Sequence, residues 1–216
     1  MQWLRSLRPG MPGWRYQQGG KEMTKSYDIL IVGIGGQGTI LASNILGEAC
    51  LSEGRHVRGA ETHGMAQRGG SVETHIRIDG DFGPLIVPGT ADLLLSFDLL
   101  EALRYSHYLK TGGKMVVNRQ MVLPTSAFTL KTPPPTVETI LAGLERFDPC
   151  LIDAEKLAAE AGSILAQNVV ILGAASWSIP LQAESLISAI RKLVPQKTVD
   201  TNVSAFEKGR AFGRIC

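Results

Sequence analysis

Apolar positions along the chain fall into short continuous runs that alternate with stretches of helical spacing. Tyr27 to Gly33, YDILIVG, is an unbroken apolar run closed by glycine, the pattern of a strand buried on both faces of a parallel sheet. In TILASNILGEACLSEG, Ile40, Leu41, Asn44, Ile45, Cys50 and Leu51 recur at helical spacing, and Gly54 marks the stop. HVRGA then reads as a second strand. Strand, glycine turn, helix, strand is the βαβ unit of an α/β sheet. In SVETHIRI, Val72, Thr74, Ile76 and Ile78 alternate with Ser71, Glu73, His75 and Arg77. That alternation predicts a half-exposed strand in a hairpin or at a sheet edge, with His75 facing solvent.

The βα alternation resumes after the irregular GDFGPLIVPG. ADLLLSFD is a buried strand, LLEALRYSHYLK an amphipathic helix and GGKMVVN a strand after a Gly-Gly turn. KTPPPT is a rigid break, VETILAGLERF a helix and PCLIDA a strand. Asp98 and Asp153 are placed to cap the helices that follow them. NVVILGAASWSI is apolar on nearly every side and reads as a buried helix, ended by Pro180. AESLISAIRKLV and TVDTNVSAFEKGRAFG are two closing helices. The prediction is an α/β fold: a Rossmann-like, mostly parallel sheet flanked by helices, with an antiparallel hairpin or edge strand, in one domain over residues 26–216. Residues 1–25 carry Arg5, Arg8, Arg15, Lys21 and Lys25 among Pro9, Gly10, Pro12, Gly13, Gly19 and Gly20. They read as a basic Pro/Gly-rich extension rather than a signal peptide, because no continuous apolar centre is present.

Composition narrows the function. With 216 residues the chain is long enough for one hydrophobic core. A net charge of +2 gives no support to nucleic-acid binding, and 6% aromatic content disfavours a base-stacking platform. No stretch approaches the length of a membrane span. Cys50, Cys150 and Cys216 are far apart and form no CxxC pair, so they do not make a zinc ribbon or a cluster site, each of which needs about four soft ligands. Their odd number fits a reducing cytoplasm better than a secreted disulfide scaffold. Cys50, in an apolar helical run, reads as core.

Two segments carry candidate chemistry. GIGGQG satisfies G-x-G-x-x-G at Gly33, Gly35 and Gly38, between a strand and a helix. Glycines there let the backbone approach an anion at the helix N-terminus, and Gly36, Gln37 and Thr39 complete the candidate cradle. THGMAQRGG, Thr62 to Gly70, leaves the carboxyl end of the second strand and is expected beside that turn. Arg68 suits bidentate contact with a phosphate or carboxylate, His63 and Gln67 can donate or accept, and Gly69 and Gly70 allow close approach. Glu61 stands 23 residues after Gly38, near the spacing of a nicotinamide-cofactor ribose ligand, but runs straight into the loop. No Gly-x-Ser-x-Gly elbow, Walker lysine or metal-spaced His/Cys cluster occurs. An NAD- or FAD-binding oxidoreductase acting alone and a scaffold whose turn binds nothing both remain open.

ILIVGIGGQGTILASNILGEA, VRGAETHGMAQRGGSVETHIRI and ADLLLSFDLLEALRY resemble the gamma-type domain of 2-oxoacid:ferredoxin oxidoreductases. The ETHGMAQRGGSV wording is similar to the beta subunits of the indolepyruvate branch of that family. The likeness spans roughly residues 27–213 and leaves the N-terminal extension outside. It implies a small cytoplasmic subunit, inactive alone, of a heteromeric enzyme that decarboxylates aryl 2-oxoacids oxidatively with coenzyme A and passes electrons to ferredoxin. It also implies that thiamine diphosphate, Mg and 4Fe-4S clusters belong to a large partner subunit. The glycine turn and the Thr62–Ser71 loop would then face the partner's thiamine and coenzyme A region, with Arg68 neutralising a carboxylate or phosphate.

Overall fold

The computed structural model describes residues 25–63, 69–123 and 134–216. Most of the extension expected over residues 1–25 therefore lies outside the described residues. The described strands form one sheet in the order β2-β3-β1-β4-β5-β6. β1 (Tyr27–Ile34) lies parallel to β4 (Ala91–Ser96), which is parallel to β5 (Leu109–Asn118), itself parallel to β6 (Cys150–Ile152). β2 (Val57–His63) and β3 (Ser71–Ile78) form the antiparallel hairpin, and β3 also pairs antiparallel with β1. The βαβ unit is therefore split. Helix α1 (Thr39–Ser52) carries the chain from β1 past an inserted strand to β2.

Two apolar layers enclose the sheet. On one face α1 packs with α4 (Ala154–Glu160), α5 (Gln167–Ala175), α6 (Ala183–Leu193) and α7 (Val199–Gly213) over Ile29, Ile31, Leu93 and Leu95. On the other face α2 (Leu99–Tyr105) and α3 (Val137–Leu144) cover Leu30, Val32, Leu94 and Val117. Burial on both sides explains why β1 and β4 read as continuous apolar runs rather than alternating ones. α5 is apolar all round because it is buried all round. Its close crossing with α7 depends on small residues: a Cβ at Gly173 or Gly209 would collide with the Phe206 or Val170 carbonyl. Local chemistry starts three helices. The Asp98 carboxylate accepts from the Leu100 and Glu101 amides, Thr136 from Thr139 and Asp153 from Lys156. No helix among the described residues is long and apolar enough to cross a membrane.

Four expectations need correction. β3 lies in the expected hairpin, with β2 at the edge, but it is not half-exposed. The polar side of its alternation is covered, so His75 is 3% and Arg77 7% exposed. His75 Nδ1 accepts from the Ile86 amide at 3.1 Å and its ring meets Tyr108 edge-on, so the segment read as irregular and the turn after α2 together supply the covering layer. Burial lowers the pKa of His75 below the usual histidine value, against the opposing pull of Glu73. Arg77 forms a two-pronged pair with Asp28, Nε to Oδ1 and Nη2 to Oδ2, both at 2.8 Å. The helix after β4 stops at Tyr105, and a 3-10 turn leads straight into β5, which starts before the Gly-Gly pair. β2 extends past HVRGA to His63, so Glu61 is strand and Thr62 and His63, expected in the loop, belong to the strand as well. Finally, Cys150 and Cys216 are joined in a disulfide with Cα atoms 5.3 Å apart, tying the end of the chain to β6. Cys50 is a buried free thiol, and burial pushes its pKa up to about 11.

Candidate functional site

The carboxyl ends of β1 and β4 meet where the chain departs in opposite directions along the sheet, the topological switch point at which open α/β sheets form a crevice. The glycine turn sits on its rim. Gly33 and Ile34 end β1, and Thr39 opens α1. Gly36 (φ 105°) and Gly38 (φ 84°) occupy backbone conformations that L side chains rarely adopt, and Gly38 is the N-cap of α1. That cap has no side-chain hydrogen bond, so the first α1 amides keep their donor capacity for an anion. A Cβ on Gly38 would lie 2.5 Å from Asn168 Nδ2, so the turn fits tightly against the start of α5.

Gln37 does not point outward as a simple donor. Its Oε1 accepts from the Ile34 amide at 2.7 Å, which leaves Nε2 buried and without a partner among the described residues. Thr39 is buried, 4% exposed, and its methyl lies under Gly33. The Gln37 amide is also spent, donating to Ile34 O at 3.1 Å.

The hairpin loop meets this turn directly. Gly35 N donates to Gly70 O at 2.8 Å. Gly69, at φ 75°, precedes that contact, and Ser71 opens β3 opposite Ile34. His63 ends β2, paired across the ladder with Val72. The side chain of His63, and Gln67 and Arg68 entirely, lie outside the described residues. The structure thus joins the two glycine-bearing segments singled out by sequence and leaves the three candidate side chains undescribed.

Beyond Gly36 and Gln37, the sequence did not mark the residues of the crevice. Gln37, Asn118, Gln120 and Gln167 line a cavity of about 240 Å3 together with Phe97, Ile164 and Leu165. Asn118 is anchored to the backbone, its Oδ1 accepting from the Ala154 amide at 3.1 Å and its Nδ2 facing Phe97 O at 3.4 Å, and the same Nδ2 lies 3.5 Å from both Gln120 Oε1 and Gln167 Oε1. A signal was available, since Asn118 is the polar residue that ends the apolar run of β5 at the carboxyl edge. Asp98, wholly buried on the same rim, accepts from the Val122 amide at 2.6 Å as well as capping α2. Burial raises its pKa above the usual carboxylate value even against these amide donors. A larger groove of about 640 Å3 runs between α1 and β2; its charged lining residues are Glu48, paired with Lys192 Nζ at 2.6 Å, and Glu61.

The geometry also bears on a dinucleotide site. Glu61 accepts from Ser43 Oγ of α1 at 2.9 Å. β3 separates its strand from β1, which adds a strand spacing of about 5 Å to the reach from the glycine turn. A ribose held on adjacent strands in a standard dinucleotide fold would not meet this carboxylate.

The family model described as pyruvate ferredoxin/flavodoxin oxidoreductase matches residues 28–212. The chain is 44% identical over 191 residues to the indolepyruvate oxidoreductase subunit IorB of Pyrococcus horikoshii, covering 86% of this chain and 95% of that one. Among solved structures it resembles the gamma subunit of a keto/oxoacid ferredoxin oxidoreductase from Geobacter sulfurreducens, with a TM-score of 0.66, 25% identity, and coverage of 88% of this chain and 99% of that one. The same fold recurs in a 2-oxoglutarate:ferredoxin oxidoreductase from Magnetococcus marinus, with a TM-score of 0.65 and 21% identity; the match covers 89% of this chain and 32% of that one.

Proposed function

The chain belongs to the pyruvate ferredoxin/flavodoxin oxidoreductase family, and on that premise we propose that it is the small subunit of an aryl 2-oxoacid:ferredoxin oxidoreductase of the indolepyruvate type. Residues 26–216 are its gamma-type domain and residues 1–25 an added extension. The reaction takes an aryl pyruvate and coenzyme A to the aryl-acetyl thioester, carbon dioxide, one proton and two electrons, the last passing to ferredoxin. A large partner subunit in the cytoplasm carries thiamine diphosphate, Mg and the 4Fe-4S clusters. Thiamine supplies the carbanion chemistry of decarboxylation when bound there. This chain has no thiolate set for a cluster: Cys150 and Cys216 are paired with each other, and Cys50 is buried.

The observation that carries the reading is the Gly35–Gly70 hydrogen bond, which sets the glycine turn and the hairpin loop side by side on the rim of the switch-point crevice. In that position the uncapped start of α1 and the loop form one wall of a site that another subunit completes. The wall binds and orients; Arg68 neutralises an anionic group of coenzyme A or of the 2-oxoacid, and His63 and Gln67 shape the contact. The amides around Asn118 offer neutral donors and acceptors to the uncharged part of a ligand.

Reconstitution with the large subunit tests this. The complex is expected to reduce ferredoxin with indolepyruvate only when coenzyme A is present. Arg68→Ala is expected to raise the KM for coenzyme A or the 2-oxoacid by about ten- to a hundredfold, the loss of one charge-assisted contact. The small subunit alone is expected to be colourless. A raised melting temperature with NAD(P), or a bound flavin spectrum, would instead favour an independent dehydrogenase.

A further inference from the structure

β5 departs from regular pairing near its start. Leu109 pairs with Ala91 and Lys114 with Leu93, so the four residues Lys110 to Gly113 face the single residue Asp92 of β4. An excursion of that kind re-aims side chains rather than strengthening a sheet. Its course is closely fixed. Gly112 holds φ 74°, and a Cβ on Gly113 would lie 2.7 Å from Leu109 Cδ1 and 3.0 Å from Ala91 O. Lys110 turns back to pair with Asp92, whose other oxygen accepts from the Asp28 amide at 2.8 Å.

The bulge forms one side of a cavity of about 460 Å3, and the 3-10 turn Glu145–Phe147 with Asp148 forms the other. Besides Lys110, whose charge Asp92 offsets, two exposed cations line it, Lys114 and Arg146. Among the described residues neither donates to a protein acceptor. Arg146 is held all the same: its guanidinium lies over the Phe147 ring, 4.6 Å from the centroid. Stacked there, it keeps its in-plane N–H edge for an oxyanion and has already lost rotamer freedom that binding would otherwise cost. Asp148 sits at φ 46°, its amide donating to Glu145 O at 3.0 Å. Its carboxylate repels a bare anion but accepts from hydroxyls, as acidic residues do when they hold ribose.

We propose that this cavity binds a phosphate carried on a sugar, the unit shared by ribose phosphates and mononucleotides. Lys114 and Arg146 take the phosphate, and Asp148 takes the sugar hydroxyls. A patch of merely solvated charges would need neither the bulge nor the stacked arginine. The cavity is separate from the switch-point crevice. Asn118 lines that crevice, and Lys114 precedes it on the same strand by roughly 13 Å of strand rise. The proposal therefore stands whether or not the chain serves a 2-oxoacid oxidoreductase.

Isothermal titration calorimetry of the full-length chain tests this with AMP, ribose 5-phosphate, inorganic phosphate and adenosine. AMP and ribose 5-phosphate are expected to bind saturably at millimolar concentration or below. Inorganic phosphate should bind several-fold more weakly, and adenosine more weakly still. Arg146→Ala and Lys114→Ala should each weaken AMP by about tenfold, the loss of one charge-assisted contact. Asp148→Asn should weaken AMP and ribose 5-phosphate several-fold yet tighten inorganic phosphate, opposite responses that a general loss of structure does not give. All three side chains are exposed, so the variants should keep the wild-type urea midpoint. Ribose 5-phosphate binding as tightly as AMP identifies a sugar-phosphate site, and tighter AMP a nucleotide site. The proposal is overturned if neither binds saturably, or if inorganic phosphate binds as tightly as both. It is also overturned if the Lys114→Ala/Arg146→Ala double variant keeps wild-type affinity for AMP, which places the ligand elsewhere.

Discussion

Gly38→Ala is the sharpest test of how the glycine turn is built. Two separate costs follow from the structure. Gly38 sits at φ 84°, where an L side chain is unfavourable by about 1–2 kcal/mol. Its new Cβ would lie 2.5 Å from Asn168 Nδ2 and 3.0 Å from Asn168 Cγ, an overpacked contact that costs about 1–3 kcal/mol to relieve. The sum is roughly 2–5 kcal/mol, which for a chain of this size lowers the melting temperature by several degrees at least. Gly36→Ala has the first cost without the second, because nothing lies within 4 Å of its Cβ. Asn168→Ala separates the two terms. It removes the obstructing amide, together with a 3.4 Å bond to Gly38 O and a 3.0 Å bond from the Val169 amide. In urea unfolding followed by circular dichroism, the Gly38/Asn168 pair should show coupling of about 1–2 kcal/mol, the double variant being more stable than the sum of the singles. The Gly36/Asn168 pair should be additive within about 0.5 kcal/mol. Additivity in both pairs would refute the claim that the turn is packed against α5.

Arg77→Met leaves Asp28 buried without its two 2.8 Å partners and should destabilise the fold by about 3–5 kcal/mol, whereas Asp28→Leu combined with Arg77→Met should recover much of that loss in the same assay. The Arg55 guanidinium holds the Asp79 carboxyl below the ordinary aspartate value of 3.8. The stability it contributes is therefore complete above that pH and fades as pH falls toward the lower folded-state value, so Asp79→Asn should flatten the acid side of the stability profile and leave its slope above neutrality unchanged. Reducing the Cys150–Cys216 bond releases a closed loop of 66 residues and should lower unfolding stability by about 2–4 kcal/mol; an unchanged urea midpoint with and without dithiothreitol would count against the tether.

How far the sequence speaks depends on where the deciding interaction lies. β1 and β4 were legible because burial on both faces writes itself as an unbroken apolar run. Asp98 and Asp153 were legible because a cap acts within three residues of its helix. β3 misled because alternation reports polarity, not exposure. Its polar side meets partners distant in sequence: Arg77 meets Asp28, 49 residues away, and His75 meets the loop that carries Ile86. Cys150 and Cys216 misled for the same reason, since they stand 66 residues apart and only the tertiary fold brings them together. In the candidate site, the glycine turn and the hairpin root announced themselves by glycine spacing. Asn118, Gln120 and Gln167 did not, because each reads as an ordinary polar residue until the fold gathers them around one cavity.

Strand order also gives the hairpin its meaning. In an uninterrupted βαβ unit, β2 would lie beside β1, and the segment after it would leave the sheet one strand from the glycine turn. Here β3 lies between them, antiparallel to both, so the loop after β2 must return at the carboxyl edge beside β1. Its return point, Gly70, is therefore placed where it can take a hydrogen bond from the turn itself. One insertion accounts for two features: Glu61 is displaced from the position a cofactor ribose would need, and a second glycine-bearing loop is brought against the first. The same strand that weakens a self-contained dinucleotide site sets the two glycine-bearing segments side by side at the carboxyl edge of the sheet.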